Sequence, residues 1–241
     1  MKGPGQFVEE RHRFVLFEDN HLLIVNKMPG EIVQGDKTGD KPLSEVYKEY
    51  LKIRYEKPGN VFLGVVHRID RPVSGAVLFA RTSKALTRLN SMLKEGSIRK
   101  TYWAVTSAAP PKDEDELIHY LTRNEQQNKS YASEQAKAGA LRSVLKYRLL
   151  AKSERMFLLE IQLMTGRHHQ IRAQLAAIGC PIRGDLKYGY PRSNPDGSIH
   201  LHSRLVCFRH PVKDIPIEIT AEPPKEKIWT LFQGQVNRET I

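Results

Sequence analysis

The sequence predicts an α+β fold in which helices flank a mixed, largely antiparallel β-sheet. Two observations support this class: apolar runs of strand type outnumber the helical patterns, and short polar turns join most of these runs as in hairpins. Hydrophobic residues make up 40% of the 241 residues, which is enough for a sizeable core. No repeat or linker divides the chain, so we expect one domain over residues 14–241, preceded by a flexible polar segment at residues 1–13.

The first part of the chain alternates strand and helix signals. Strand-like runs at residues 14–17 and 22–26 flank a polar turn, so they predict a hairpin. Apolar residues at helical spacing predict a helix over residues 42–54. A second helix is expected to begin with Ser83 as its N-cap and to end at Gly96.

Most of the remaining signals are of strand type. Strands are expected at residues 61–66, 76–80, 98–105, 144–150, 156–164, 200–208 and 215–221, and a short terminal helix at 225–232. The polar stretch at residues 112–140 carries no long apolar pattern. We therefore expect a long, mobile excursion there, with short strand pieces only.

A further helix is predicted around residues 165–178, because Ile171, Leu175 and Ile178 fall on one helical face. Arg167 would then lie in the first turn of this helix. A cation at a helix N-terminus opposes the helix dipole, so helix propensity does not explain Arg167. We expect this arginine to have an acidic partner or a functional role.

The charge of the chain indicates its class of partner. Lysine and arginine number 38 against 27 acidic residues, which gives a formal net charge of +11 and favours nucleic acid or an acidic membrane surface. No apolar run is long enough to span a bilayer, and the N-terminus lacks a signal-peptide core. The two cysteines lie far apart and predict no disulfide framework. We therefore expect a cytoplasmic protein that binds nucleic acid and no membrane.

The loop at residues 67–75 carries the strongest candidate for catalysis. It joins two apolar runs that we expect to be buried strands, and it places Asp70 between Arg68 and Arg71. The two neighbouring positive charges favour the ionised carboxylate. An ionised carboxylate on a loop anchored by core strands can act as a nucleophile. The alternative interpretation is a surface ion pair in a tight turn.

The order of residues in this loop, His-Arg-Ile-Asp-Arg-Pro-Val-Ser-Gly, resembles the His-Arg-Leu-Asp-x-x-Thr-Ser-Gly signature of the RluA-type family of RNA pseudouridine synthases. Other stretches resemble further motifs of that family, in its order: Asn-Lys-Met-Pro-Gly at 26–30, Lys-Thr-Tyr at 100–102, Thr-Gly-Arg-His-His-Gln-Ile-Arg at 165–172, Gly-Cys-Pro-Ile-Arg-Gly-Asp at 179–185, Tyr-Gly at 188–189, Leu-His at 201–202 and Phe-Arg-His-Pro at 208–211. His168 stands where the family usually has threonine. The resemblance covers nearly the whole chain.

The resemblance implies a pseudouridine synthase fold with a central catalytic cleft, and a reaction that detaches uracil from its ribose, rotates it and rejoins it through C5. It implies that Asp70 is the catalytic residue, that Arg167 pairs with it and that Tyr102 packs on the target uracil. The target base must be flipped out of its helix, at a cost of a few kcal/mol. The residues expected to bind RNA are Arg68, which in the family can enter the space left by the flipped base, together with Arg71, Lys100 and Arg172.

The reaction involves no redox change, so we expect neither a metal nor any other cofactor. His200 and His202 share one strand face, but no third ligand lies at zinc-like spacing. The expected partner is structured RNA, ribosomal or transfer RNA, bound by a monomer without a separate RNA-binding module. Two alternatives from other classes stay open: an RNA-binding protein that keeps the fold without the reaction, and a metal-dependent hydrolase.

Overall fold

The computed structural model describes residues 3–36 and 38–239, which divide into two compact units of two segments each. The first unit contains the described residues up to Ile98 together with Leu205–Glu222. The second contains Arg99–Arg204 and the described residues from Pro223 onward. This division does not test the single domain expected for residues 14–241, which stays a prediction. The sequence shows no linker between the two units because one boundary falls inside a strand, between Arg204 and Leu205.

The first unit consists of antiparallel strands and three helices. Its elements are α1 (Pro4–His12), β1 (Val15–Glu18), β2 (Leu22–Lys27), α2 (Leu43–Arg54), β3 (Gly64–Val65), β4 (Ser74–Ala80), α3 (Ser83–Lys94), the end of β10 (Leu201–Arg209) and β11 (Pro216–Thr220). β2 pairs with β1 and with β4, and β3 pairs with the last residues of β4. β11 pairs with β10 from Leu205 onward.

β2 and β4 are buried on both faces, which explains why their sequences are apolar without alternation. On one face, Leu22 and Leu78 belong to a core cluster with Leu89 of α3. On the other, Phe79 meets Tyr47 of α2, with ring centroids 6.4 Å apart. The predicted hairpin and the predicted helix over residues 42–54 are confirmed.

The start of α3 and the strand before the Asp70 loop differ in detail from the prediction. The N-cap of α3 is Thr82, one residue earlier than expected, because its hydroxyl accepts a hydrogen bond from Ala85 N–H at 3.2 Å. β3 covers Gly64–Val65 only, whereas a strand was expected over residues 61–66. The approach to the loop is thus mostly irregular backbone.

The N-terminal segment is helical rather than flexible over Pro4–His12. Tertiary contacts hold α1 in place: Arg11 forms an ion pair with Glu31 at 2.9 Å, and His12 Nδ1 lies 2.9 Å from Tyr50 Oη of α2. A polar composition alone did not indicate these partners, and the expectation of a flexible segment is wrong for these residues.

The second unit contains a longer antiparallel sheet. Its elements are β5 (Arg99–Thr106), β6 (Glu114–Asn124), β7 (Lys129–Ser133), β8 (Leu141–Lys152), β9 (Phe157–Leu163), α4 (Gln170–Ala177), a 3-10 turn (Leu186–Tyr188), the start of β10 and α5 (Lys227–Glu239). The strands lie in the order β5-β9-β8-β6-β7. Trp229 and Phe232 of α5 pack on Trp103 and Val105 of β5. None of the described helices is long and apolar enough to cross a membrane.

Within residues 112–140, β6 and β7 form a hairpin, so the expectation of short strand pieces only is wrong for β6, which is 11 residues long. β6 pairs with β8 over eight residue pairs, from Glu114 opposite Arg148 to Leu121 opposite Leu141. Leu117, His119 and Leu121 are buried, while their neighbours along the strand are more exposed. This period of two is obscured in the sequence, because Ile118 and Tyr120 lie on the more exposed face and His119 on the buried one.

Two turns of the first unit are joined by a buried histidine and a carboxylate. Asp19 Oδ1 accepts hydrogen bonds from the backbone N–H groups of His21 and Leu22, and Oδ2 lies 2.8 Å from Lys213 Nζ and 3.0 Å from His210 Nε2. Burial raises the pKa of Asp19, but the hydrogen bonds from Lys213, His21 and Leu22 and the charge of His210 outweigh it and lower the pKa to about 2.

This carboxylate should make folding stability depend on acid pH. Because its folded pKa of about 2 lies below the ordinary value of 3.8, the ionised group stabilises the fold above pH 3.8, and this contribution is lost as the pH falls through 2. Asp19→Asn should lower the free energy of unfolding at pH 7 by about 2 kcal/mol. Denaturant titrations between pH 2 and about pH 7 measure this difference, which should vanish at the acid end. Asp214→Asn is the control, since its pair with Arg209 is exposed; an equal loss in both variants would contradict the prediction.

Candidate active site

Asp70 lies on the first unit, in the loop between β3 and β4. The buried side chains of Ile69 and Val73 anchor the backbone on either side of the turn, and Val73 N–H donates to Asp70 O at 3.0 Å. Asp70 itself is half-buried, whereas Arg68 and Arg71 are exposed. The carboxylate is therefore carried by a fixed backbone and remains partly accessible to solvent.

Lys27, at the end of β2, holds this loop from inside. Its side chain is fully buried, and Nζ donates to the carbonyl oxygens of Met28 at 2.9 Å, Arg71 at 3.1 Å and Val73 at 2.7 Å. Burial lowers the pKa of Lys27 to about 8, against the opposing charges of Glu31 and Asp70, which raise it. All three ammonium protons of Lys27 thus have an acceptor, and two of these acceptors lie in the Asp70 loop.

Sequence reasoning gave Lys27 no role. The Asn-Lys-Met-Pro-Gly stretch at residues 26–30 was noted for its resemblance to a family motif, without a role for the lysine. A signal was nonetheless present, because a lysine directly after Leu-Leu-Ile-Val-Asn in a buried strand must find partners for its charge. What the sequence could not supply is that these partners are backbone oxygens 44 and 46 residues further along the chain.

His67, the first residue of the motif, has a structural contact. Its Nε2 accepts a hydrogen bond from Leu78 N–H of β4 at 3.2 Å, so in the neutral ring the proton lies on Nδ1. The start of the loop is thereby tied to the strand that follows it. Arg71 forms an exposed ion pair with Asp40 at 2.6 Å, and such a pair adds little to stability.

Tyr102 and Lys100 lie on the second unit, in β5. Tyr102 is 5% exposed and faces Ile161 of β9 across the ladder. Lys100 precedes it by two residues, so both side chains project from the same face of the strand. A methyl group placed on Gly166 would lie 3.8 Å from Lys100 Nζ, and burial lowers the pKa of this lysine. The Lys-Thr-Tyr stretch at 100–102 and the stretch at 165–172, which both resemble family motifs, thus lie next to each other within this unit.

The turn that carries Arg167 is closed by the side chain of Gln170. Its Oε1 accepts from Thr165 Oγ1 at 2.8 Å and from Arg167 N–H at 3.0 Å, and its Nε2 donates to Val144 O at 3.0 Å. Arg167 is exposed and lies in this turn, before α4 begins at Gln170. Arg167 was expected in the first turn of the helix, but it lies about one turn before the helix begins.

The structure contradicts the predicted role of Arg172 in RNA binding. Its side chain is 6% exposed, and its Nε and Nη2 bind both carboxylate oxygens of Asp185 at 2.7 and 2.9 Å. The guanidinium also lies over the ring of Tyr188, 5.0 Å from the centroid. A buried, doubly bonded guanidinium is not available to a phosphate, so Arg172 holds the loop at residues 184–189 instead.

The seven predicted residues are thus distributed over both units. Asp70, Arg68 and Arg71 belong to the first unit, and the second holds Tyr102, Lys100, Arg167 and Arg172. The pairing of Asp70 with Arg167 and the packing of Tyr102 on uracil stay predictions.

Comparison with protein families gives a match over most of the chain. The model described as RNA pseudouridylate synthase matches residues 21–177. An "uncharacterized RNA pseudouridine synthase" of Zymomonas mobilis is 32% identical over 220 residues, covering 90% of this chain and 95% of that protein. A "ribosomal large subunit pseudouridine synthase C" of Vibrio parahaemolyticus is 30% identical over 233 residues, covering 94% and 70%.

Comparison with solved structures concerns the fold alone. "Human RNA Pseudouridylate Synthase Domain Containing 4" superposes with a TM-score of 0.77 at 20% identity and covers 97% of both chains. "Human RNA Pseudouridylate Synthase Domain Containing 1" gives a TM-score of 0.65 at 19% identity, covering 92% of this chain and 93% of that one. The predicted α+β class and its pseudouridine synthase fold are confirmed.

Proposed function

This chain belongs to the RluA-type family of RNA pseudouridine synthases, and from that premise we propose that it isomerises a uridine in the RNA of the large ribosomal subunit. The observation that carries the choice of RNA is the relative in Vibrio parahaemolyticus, whose name specifies the large subunit and of which this chain covers 70%. The formal net charge of +11 supports a long polyanionic substrate.

Mapping of pseudouridine across total RNA from cells with and without the gene tests this proposal. The expected result is the loss of one or a few sites, all in large-subunit RNA. Loss of sites in transfer RNA alone would show that the reaction is right and the substrate wrong. An unchanged map, together with no activity of the purified protein on any cellular RNA, would contradict the function itself.

In the proposed mechanism Asp70 supplies the carboxylate that starts the reaction. It either adds to the uracil ring or assists the loss of a ribose proton. Both routes need an ionised group held in a fixed position, and the anchoring of the loop by Lys27 suits that requirement. Arg167 is proposed to keep Asp70 ionised and oriented through a charge-assisted hydrogen bond.

Arg68, Arg71 and Lys100 are proposed to contact the RNA. Arg68 and Arg71 are exposed beside Asp70, which suits contacts to phosphate or, for Arg68, entry into the space of the flipped base. Because cationic contacts to phosphate release counterions, RNA affinity should fall steeply with salt.

We also propose that the protein acts as a monomer in the cytoplasm. Cys180 is a buried free thiol, which agrees with a reducing compartment. Sedimentation of the purified protein with and without RNA tests the monomer, and imaging of a tagged chain tests the compartment.

Substitution of Tyr102 should separate stacking from hydroxyl chemistry. Tyr102→Leu should lower the single-turnover rate by about tenfold or more, because a flat ring that can stack on a base is worth about 1–3 kcal/mol. Tyr102→Phe should stay within about threefold of the wild type, since the ring is retained. Tritium release from [5-³H]uridine RNA measures both rates. The reverse order would assign acid–base work to the hydroxyl.

A further inference from the structure

The β6–β7 hairpin contacts the turn that carries Arg167 through His168. His168 Nε2 lies 3.1 Å from Asn128 Oδ1, and His168 Nδ1 lies 2.9 Å from Ser130 Oγ. Because an amide oxygen only accepts, Nε2 carries the proton and Nδ1 accepts from the Ser130 hydroxyl. Both ring nitrogens of His168 are thus used to hold the hairpin.

A second route joins the same hairpin to the next residue, His169. Ser130 N–H donates to Tyr188 Oη at 2.8 Å, and Tyr188 Oη lies 3.0 Å from His169 Nδ1. The backbone of Ser130 therefore reaches His169, while its side chain reaches His168. Lys187 Nζ adds bonds to the carbonyl oxygens of Gln127 and Asn128 at 3.2 and 3.0 Å.

His169 has a backbone conformation that needs such support. Its φ of 52° lies in the left-handed region, which costs a non-glycine residue about 1–3 kcal/mol. The ring is buried and stacks on His168, with centroids 3.8 Å apart and an interplanar angle of 23°. This residue sets the direction of the chain between Arg167 and α4, so contacts that hold His169 also fix the turn before it.

We infer that His168 is a positioning residue, which fastens the β6–β7 hairpin to the Arg167 turn so that the docked hairpin determines where the Arg167 guanidinium points. The inference rests on the proposed function, in which Arg167 acts on Asp70.

Single-turnover rates and RNA affinities of four variants test the inference. His168→Ala and Ser130→Ala should each lower the rate about fivefold to tenfold, with RNA affinity within twofold of the wild type. The double variant should be no slower than His168→Ala, because both changes break one link. Tyr131→Phe is the control in the same hairpin: its hydroxyl bonds Gln127 within the hairpin, so its rate should equal the wild type. Thermal unfolding checks that each variant is folded. If His168→Ala does not fold, the rate of Ser130→Ala decides the test.

A second set of variants tests whether His168 acts through Arg167. Arg167→Lys alone should be slow, which tests the proposed function independently. Adding His168→Ala to Arg167→Lys should change the rate less than twofold. The lysine no longer makes the arginine's contact, so a further change in the direction of the turn has little effect on the rate. A full fivefold to tenfold loss in that background, or a loss of RNA affinity in place of rate, would overturn the inference. Wild-type rates for His168→Ala and Ser130→Ala would overturn it as well.

Discussion

Asp70→Asn should release no tritium from [5-³H]uridine RNA above background, even at high enzyme and long times. The amide keeps the shape of the side chain but is neither a strong nucleophile nor a ready proton acceptor. The expected loss of turnover is at least about 10⁴-fold, which is the upper range for a single acid–base or nucleophilic group.

The same variant should fold and bind RNA. The backbone of the loop is held by Lys27 Nζ and by the bond from Leu78 N–H to His67, and neither contact uses the carboxylate. Removing a negative charge also does not subtract from the basic surface that attracts phosphate. Circular dichroism, thermal unfolding and filter binding measure these properties.

Asp40→Asn is the matched control for this experiment. It makes the same chemical change at an exposed carboxylate of the same unit, whose contact is a surface pair with Arg71. Its tritium release should equal that of the wild type. Substantial release by a verified Asp70→Asn preparation would refute Asp70 as the catalytic carboxylate.

Elements with a clear apolar pattern in their own sequence were predictable. β2 and β4 each contain an unbroken apolar run, and the 40% apolar content must be buried somewhere, so two central strands followed from the pattern. α3 likewise follows from a stripe of leucines that ends before Gly96, although its N-cap is Thr82 rather than the expected Ser83. The Asp70 loop was found because its residues form a contiguous motif.

Elements without an apolar pattern of their own, which are ordered by contacts with other elements, were not predictable. α1 and the β6–β7 hairpin are polar, and they are ordered by contacts such as His12 to Tyr50 and Ser130 to Tyr188. Arg172 was expected to bind RNA, and its buried partner Asp185 becomes visible only when α4 and the following loop are placed together. Charge in a sequence does not distinguish a buried pair from a ligand contact.

Arg167→Met should lower turnover by about a hundredfold or more while changing RNA affinity less than threefold. In the proposed mechanism this guanidinium keeps Asp70 ionised and oriented, and loss of such an electrostatic contact costs about 3 kcal/mol of transition-state stabilisation. Methionine keeps an unbranched apolar stem, although a shorter one, and removes the charge and its donors. Single-turnover tritium release and equilibrium binding at fixed salt separate the two effects.

Arg192→Met is the control for the loss of one positive charge, since Arg192 is an exposed loop residue of the same unit. The two variants should show equal, small changes in RNA affinity, and Arg192→Met alone should keep the wild-type rate. If Arg167→Met instead weakens RNA binding and leaves the single-turnover rate normal, Arg167 contacts phosphate rather than Asp70. That outcome would leave the Asp70 prediction intact, because Asp70→Asn tests the carboxylate without reference to its partner.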